Sequence, residues 1–268
     1  MRIGSIQFKP EFGRISDNIE RASKMIEDID AELIVLPELC FTGYAFTSAE
    51  EARSMAESIE KGFSLKRMKE ISERFGKGII FGFPENDNGR LYNSCAFMRP
   101  GEKTEIYRKL HLYYFEKEWF LAGDNQLPVI EFRGCKVGLM ICFDWYFPEV
   151  ARTLALAGAH LLCHPSNLVM SHCQDSMITR CLENSIFAIT ANRIGREKRG
   201  NFDFKFTGRS QIISNKGEIL YRASSDKEEV GAADIDFRLS DNKELNSRND
   251  LWKDRRPEFY RMGNHGKI

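Results

Sequence analysis

A carboxylate, an amine and a thiol each stand where an apolar run of this sequence ends. Glu38 follows Leu33-Ile34-Val35-Leu36-Pro37, Lys109 closes the run from Thr104 to Tyr107, and Cys142 ends Val137-Gly138-Leu139-Met140-Ile141. Strand ends are where α/β sheets expose reactive side chains. Taken singly, each has a plain structural explanation. An acid after a strand is often a solvated terminus, Tyr107-Arg108-Lys109-Leu110-His111-Leu112 reads as a basic loop, and a buried cysteine is usually an inert small hydrophobe. The combination suggests more, because a thiol with a pKa of roughly 8.5 needs a base or a nearby cation to act as a nucleophile at neutral pH. Cys142 also has an unusual setting. The chain leaves its strand through Phe143-Asp144-Trp145-Tyr146-Phe147 and meets Pro148, a favoured first helical position. A sharp strand-to-helix turn would hold the sulfur at the sheet edge and free the Phe143 N–H to face the same space.

These groups need a frame, and the sequence alternates strand-like and helix-like segments. Arg2 to Phe8 reads as a strand. Ser16 is expected to cap a helix through Asp30, whose Ile19, Ala22, Met25, Ile26 and Ile29 follow 3.6-residue spacing. Leu33 to Leu36 completes a β-α-β unit, which predicts a parallel pair. A helix over 64–75, a strand over 79–83 and a hairpin of 91–98 with 104–107 around Pro100-Gly101 follow. The second half repeats the plan, with a strand at 136–141, a helix at 148–158, a strand at 159–163, a helix at 174–184, a strand at 187–191 and a hairpin turning at Asn215-Lys216-Gly217. The strands ending at Pro37 and Pro165 resemble one another, which suggests a weak internal duplication. No low-complexity linker intervenes. Residues 1–240 are therefore expected to form one domain, with 241–268 a charged arm of that domain, broken by Pro257, at a dimer interface.

Lys plus Arg and Asp plus Glu each number 39 in 268 residues, so no net field attracts nucleic acid or anionic lipid. No apolar run reaches membrane-spanning length, and the start lacks a signal-peptide layout. Seven scattered cysteines without a C-x-x-C spacing argue against disulfides and thiolate zinc sites. A soluble cytoplasmic protein without cofactor or metal is expected.

In order along the chain, Leu36-Pro37-Glu38, Tyr107-Arg108-Lys109-Leu110-His111-Leu112 and Gly138-Leu139-Met140-Ile141-Cys142-Phe143-Asp144 with Phe147-Pro148-Glu149 resemble the three motif blocks of the nitrilase superfamily of carbon–nitrogen hydrolases. The likeness extends to Leu91-Tyr92-Asn93-Ser94, His164-Pro165-Ser166-Asn167-Leu168, Arg180-Cys181-Leu182-Glu183-Asn184 and Thr207-Gly208-Arg209-Ser210, and to Arg248-Asn249-Asp250 and Asp254-Arg255-Arg256, and so covers nearly the whole chain. The resemblance implies a single-domain, four-layer αββα sandwich, paired into a dimer, and a catalytic Glu–Lys–Cys triad. The triad falls on Glu38, Lys109 and Cys142, with Glu116 as a supporting acid. Glu118, two residues on, is the alternative if the loop shifts register.

Such a site would hydrolyse a small aliphatic nitrile or primary amide to an acid and ammonia. Cys142 attacks carbon while Glu38 takes the thiol proton, and Lys109 with the Phe143 N–H faces the developing oxyanion, at about 3 to 4 kcal/mol per good donor. Glu38 then protonates the leaving nitrogen and activates the water that cleaves the thioester. Tyr44, Tyr113, Trp145, Phe147 and Asn167 are the candidate pocket walls, favouring a small, largely apolar substrate. Carbamoyl-amine hydrolysis is the alternative chemistry, and an inactive binding subunit the alternative outside catalysis. A metal site on His164, His172 and Cys173 has little support, since His160 and His164 lie on one strand about 13 Å apart. The helix at 148–158 is apolar on more than one side and, with help from the helix at 174–184, predicts a homodimer or higher assembly.

Overall fold

The computed structural model describes residues 1–260; the remainder of the expected arm lies outside the described residues. In chain order it forms β1 (Arg2–Gln7), α1 (Ile15–Asp28), β2 (Leu33–Val35), α2 (Ala49–Met55), α3 (Phe63–Phe75), β3 (Gly78–Asp87), β4 (Arg90–Met98), β5 (Glu105–Arg108), α4 (Glu116–Trp119), β6 (Val129–Phe132) and β7 (Cys135–Leu139). Then follow α5 (Pro148–Leu156), β8 (Leu161–Pro165), α6 (Cys173–Asn184), β9 (Phe187–Ala191), β10 (Arg196–Arg199), β11 (Phe202–Lys205), β12 (Gln211–Ile213), β13 (Ile219–Arg222) and β14 (Glu229–Asp234).

Two six-stranded sheets result, in the orders β14-β1-β2-β3-β4-β5 and β13-β12-β9-β8-β7-β6. In the first, β1, β2 and β3 run parallel, with antiparallel β4 and β5 beyond them and antiparallel β14 on the other side. In the second, β7, β8 and β9 run parallel, with antiparallel β12 and β13 beyond and antiparallel β6 on the other side. The duplication suggested by the two proline-ended strands is thus a repeat of the sheet plan, in which β2 corresponds to β8.

Alternation along the strands explains the layering. Leu33 and Val35 of β2 face the other sheet, in a core shared with Val137, Leu139 and Leu161, while Ile34 and Leu36 face α1 and α3. Ile19, Ala22 and Ile26 of α1 and Leu65, Met68 and Ile71 of α3 form the helical side of that second layer. The helices α5 and α6 cover the opposite sheet through Leu154 and Met177. The result is an αββα sandwich in a single domain.

Several local features differ from the sequence-based expectations. Ser16 caps nothing, because α1 already begins at Ile15 with Arg14 at the cap, and it ends at Asp28. The strand expected over 79–83 runs on to Asp87 and turns through Asn88-Gly89, both at positive φ (51° and 89°), the backbone a tight hairpin turn demands. The helix at 148–158 stops at Leu156, and α2, β6, the β10–β11 hairpin and β14 are additional. Part of the arm is anchored on the domain: the Lys243 ammonium donates to the carbonyls of Asn184 and Ser185 at the end of α6 (2.8 and 3.0 Å), where orphan helix carbonyls await partners.

Candidate active site

The loop after β2 carries Glu38 and is held tightly against β3. Cys40 N–H donates to Gly82 O and Gly82 N–H to Pro37 O. A Cβ on residue 82 would sit 2.5 Å from the Glu38 Cα, so only glycine permits this approach. From β5, Lys109 reaches the same place, its N–H bonded to Asn93 O of β4.

Lys109 Nζ lies 2.7 Å from Glu38 Oε1 and 2.8 Å from Glu116 Oε1, and all three side chains are buried. Asn93 Nδ2 donates a further bond to Glu38 Oε1 (2.7 Å), and Glu38 Oε2 has no partner among the described residues. That free oxygen is the acceptor a general base needs. Glu116 also accepts from the Tyr44 hydroxyl (2.8 Å) and the Tyr113 N–H (3.1 Å). Glu118 is exposed, so the register places Glu116 at the lysine.

Burial works against charge on Lys109, but the carboxylates of Glu116 and Glu38 outweigh it and hold the ammonium above its usual range. Burial pushes the Glu116 carboxyl up to about 7, opposed by Lys109 and reinforced by Glu38. The Cys142 thiol is raised by burial and by Glu38, with Lys109 pulling the other way and the Asn167 N–H as a weaker stabiliser of the thiolate. The sulfur therefore lies within electrostatic reach of all three charged groups and rests as a thiol.

Cys142 opens a 3-10 turn, Cys142–Tyr146, between β7 and the Pro148 start of α5. Its φ is +39°, a left-handed conformation that a side chain rarely adopts. Two buried groups secure this elbow. Asp144 Oδ2 accepts from the Ile141 N–H (2.9 Å) and the Tyr107 hydroxyl (2.7 Å), while its Oδ1 accepts from the His111 N–H and sits 2.8 Å from His111 Nδ1. Asp144 thereby ties the thiol turn to the lysine loop. On the other side, His164 Nε2 lies 2.8 Å from the Cys142 carbonyl, which can only accept, so Nε2 carries the proton. Burial lowers the His164 pKa to about 4, keeping the ring neutral. No bond accepts the Phe143 N–H among the described residues.

Beside Cys142 a small cavity of about 10 Å³ is lined by Tyr113, Phe143, Trp145 and Asn167, with Leu168 and Met170 closing it. This volume holds about one water. Tyr44 lies on the other side of Glu116 in an aromatic cluster with Phe204 and Phe206. Phe147 is not on the cavity wall but stacks on His111, with ring centroids 3.6 Å apart. The structure thus brings Glu38, Lys109, Glu116 and Cys142 together with Phe143, Tyr113, Trp145 and Asn167, and sets Tyr44 and Phe147 behind them.

Asp144 and Asn93 stand in family-like segments of the sequence without an assigned role, and the buried pair Arg193–Glu197 escaped the sequence reading. Glu197 accepts from the N–H groups of Tyr44 and Ala45 (3.0 and 2.8 Å), and so positions the loop whose tyrosine bonds Glu116. Asp144 carried a signal, an acid two residues after the thiol, and Asn93 carried one in its place within Leu91-Tyr92-Asn93-Ser94. No group of three or more His, Cys, Asp or Glu side chains arranged for a metal occurs among the described residues, nor does any helix long and apolar enough to cross a membrane.

The carbon–nitrogen hydrolase family model matches residues 2–242. The chain is 43% identical over 263 residues to a nitrilase of Pyrococcus abyssi, covering 97% of this chain and 99% of that one. It is 30% identical over 287 residues to the N-carbamoylputrescine amidase of Arabidopsis thaliana, with 97% and 94% covered. Among solved structures, a carbon–nitrogen hydrolase from Helicobacter pylori G27 shares the fold with a TM-score of 0.85 at 25% identity, over 97% of this chain and 96% of that one. The chain belongs to the carbon–nitrogen hydrolase family and is an enzyme of the nitrilase superfamily.

Proposed function

We propose that this enzyme converts a small nitrile or primary amide to a carboxylic acid and ammonia through a thioester on Cys142. One observation carries the reading: a buried ammonium is clamped between two carboxylates, one of which keeps an unpartnered oxygen, within electrostatic reach of a buried thiol. On attack, the sulfur–hydrogen proton passes to Glu38 as the sulfur–carbon bond forms. The Lys109 ammonium and the Phe143 N–H stabilise the charge that develops on oxygen or nitrogen. With an amide, Glu38 returns the proton to nitrogen, the carbon–nitrogen bond breaks and ammonia departs. With a nitrile, attack gives a thioimidate, and addition of one water precedes the same loss of ammonia. A water that surrenders a proton to Glu38 then cleaves the thioester and restores the thiol. Glu116 holds the lysine in place, and Tyr44 holds Glu116.

The small cavity, walled mainly by aromatic and aliphatic side chains, supports a small acyl group. Carbamoyl-amine hydrolysis, suggested by the plant amidase relative, is less well served, because a cationic amine would need a carboxylate on the cavity wall beyond those already engaged with Lys109. Assembly as a homodimer is part of the proposal. Leu156 of α5 and Leu182 of α6 are 43% and 57% exposed, and Leu245 in the arm is exposed as well. Ammonia release from a panel of aliphatic nitriles, amides and carbamoyl amines, with intact-mass detection of an acyl adduct on Cys142, tests the chemistry. Full turnover by Cys142→Ala would end it, and a monomeric mass in light scattering would end the dimer.

A further inference from the structure

Asn167 lies just past β8, one residue beyond the position that Glu38 occupies after β2 and Pro37, yet it does something the proposed reaction leaves unexplained. Its side chain is 2% exposed, and neither its Nδ2 nor its Oδ1 has a hydrogen-bond partner among the described residues. Two orphaned polar atoms on one buried side chain are costly to keep unless something outside the protein satisfies them. Both neighbours pin the backbone: the Ser166 N–H donates to Ala191 O (2.9 Å), and the Leu168 N–H to Asn192 Oδ1 (2.9 Å). The carboxamide is therefore held on the wall of the cavity that also contains Cys142. It offers one donor face and one acceptor.

We infer that Asn167 selects substrates bearing a small, uncharged hydrogen-bonding group, a hydroxyl or a second carboxamide, within a bond or two of the scissile carbon. This rests on the proposed use of Cys142 as nucleophile. The group is uncharged because the wall beyond Cys142 and Asn167 is Tyr113, Phe143, Trp145, Leu168, Val169 and Met170, and the site's charged groups, Lys109 with Glu38 and Glu116, are engaged with one another. It is small because the space beside Cys142 is narrow and walled by three aromatic side chains. A site built to bond a substrate hydroxyl rejects the analogue that lacks it, since its own polar atoms are then left unpaired.

The test compares near-isosteric pairs, 3-hydroxypropionitrile against butyronitrile and lactamide against isobutyramide, by ammonia release from the full chain. In whichever pair is turned over, the wild type is expected to favour the hydroxylated member by about tenfold or more in kcat/KM, mostly through KM. Asn167→Leu is expected to bring that ratio close to one. A wild-type ratio near one overturns the inference whether or not the variant folds, as does an Asn167→Leu enzyme that loses both members equally. Ammonia from none of the four also overturns this substrate class, and alkylation of Cys142 by iodoacetamide, read by intact mass, reports separately on the nucleophile.

Discussion

The two sheets share a plan but arm it differently. The ends of β2 and β5 supply charge, Glu38 and Lys109, each neutralised by a partner. The turns after β7 and β8 supply neutral groups, the Cys142 thiol and the Asn167 carboxamide, held by His164 and by backbone bonds. The charged half is a mutual clamp, so its members contribute to folding as well as to chemistry. On the proposed chemistry the neutral half contributes chiefly to turnover, and at position 142 the fold accepts a strained backbone to provide it.

That contrast can be broken by mutation. Cys142→Ala is expected to lower kcat by about 10⁴-fold or more, with little change in melting temperature, because it removes the proposed nucleophile and no folded-state ion pair. A comparable loss of stability would show the division to be false. Lys109→Met is expected to abolish turnover and to cost about 3–5 kcal/mol in denaturant unfolding, since it leaves two buried carboxylates without their cation. A melting curve like that of Cys142→Ala would contradict the clamp.

A gentler cut is Tyr44→Phe, which removes one of the three donors to Glu116 and should cost about 1–2 kcal/mol, with kcat falling about tenfold and KM little altered. An unchanged kcat would place Tyr44 outside the site's support. The smallest effect is in pH dependence. Glu116 binds its proton more tightly folded (about 7) than at its ordinary value of 4.5, so the stability it confers is complete below about 4.5 and is lost as pH rises through about 7. Glu116→Gln should therefore gain ground on the wild type between pH 4.5 and 8 in paired thermal melts. Parallel curves would mean that Glu116 keeps one protonation state across that range.

The sequence disclosed what local pattern encodes. Short apolar runs and proline-ended strands revealed the sheets, and the turn from Ile141 to Pro148 marked the elbow. It concealed what depends on remote partners. Glu197 bonds the N–H groups of residues more than 150 positions away, and nothing in Arg196-Glu197-Lys198-Arg199 distinguishes such an acid from a solvated charge run. Asn93 stands in a family-like segment, but its role is hidden until the fold brings Glu38 to it. Ser16 misled because a capping residue is recognised by type, whereas the start of α1 is set by where Ile19 and Ala22 must meet the sheet. Phe147 misled because a ring near a thiol can as easily brace a histidine as greet a ligand.

The positive φ at Cys142 has an evolutionary corollary. Glycine is the residue that this backbone would accept without strain, so selection for robustness alone works against the sulfur. On the proposed chemistry, demand for turnover is what holds the thiol in place, and a descendant freed from that demand should surrender this atom before it surrenders its architecture.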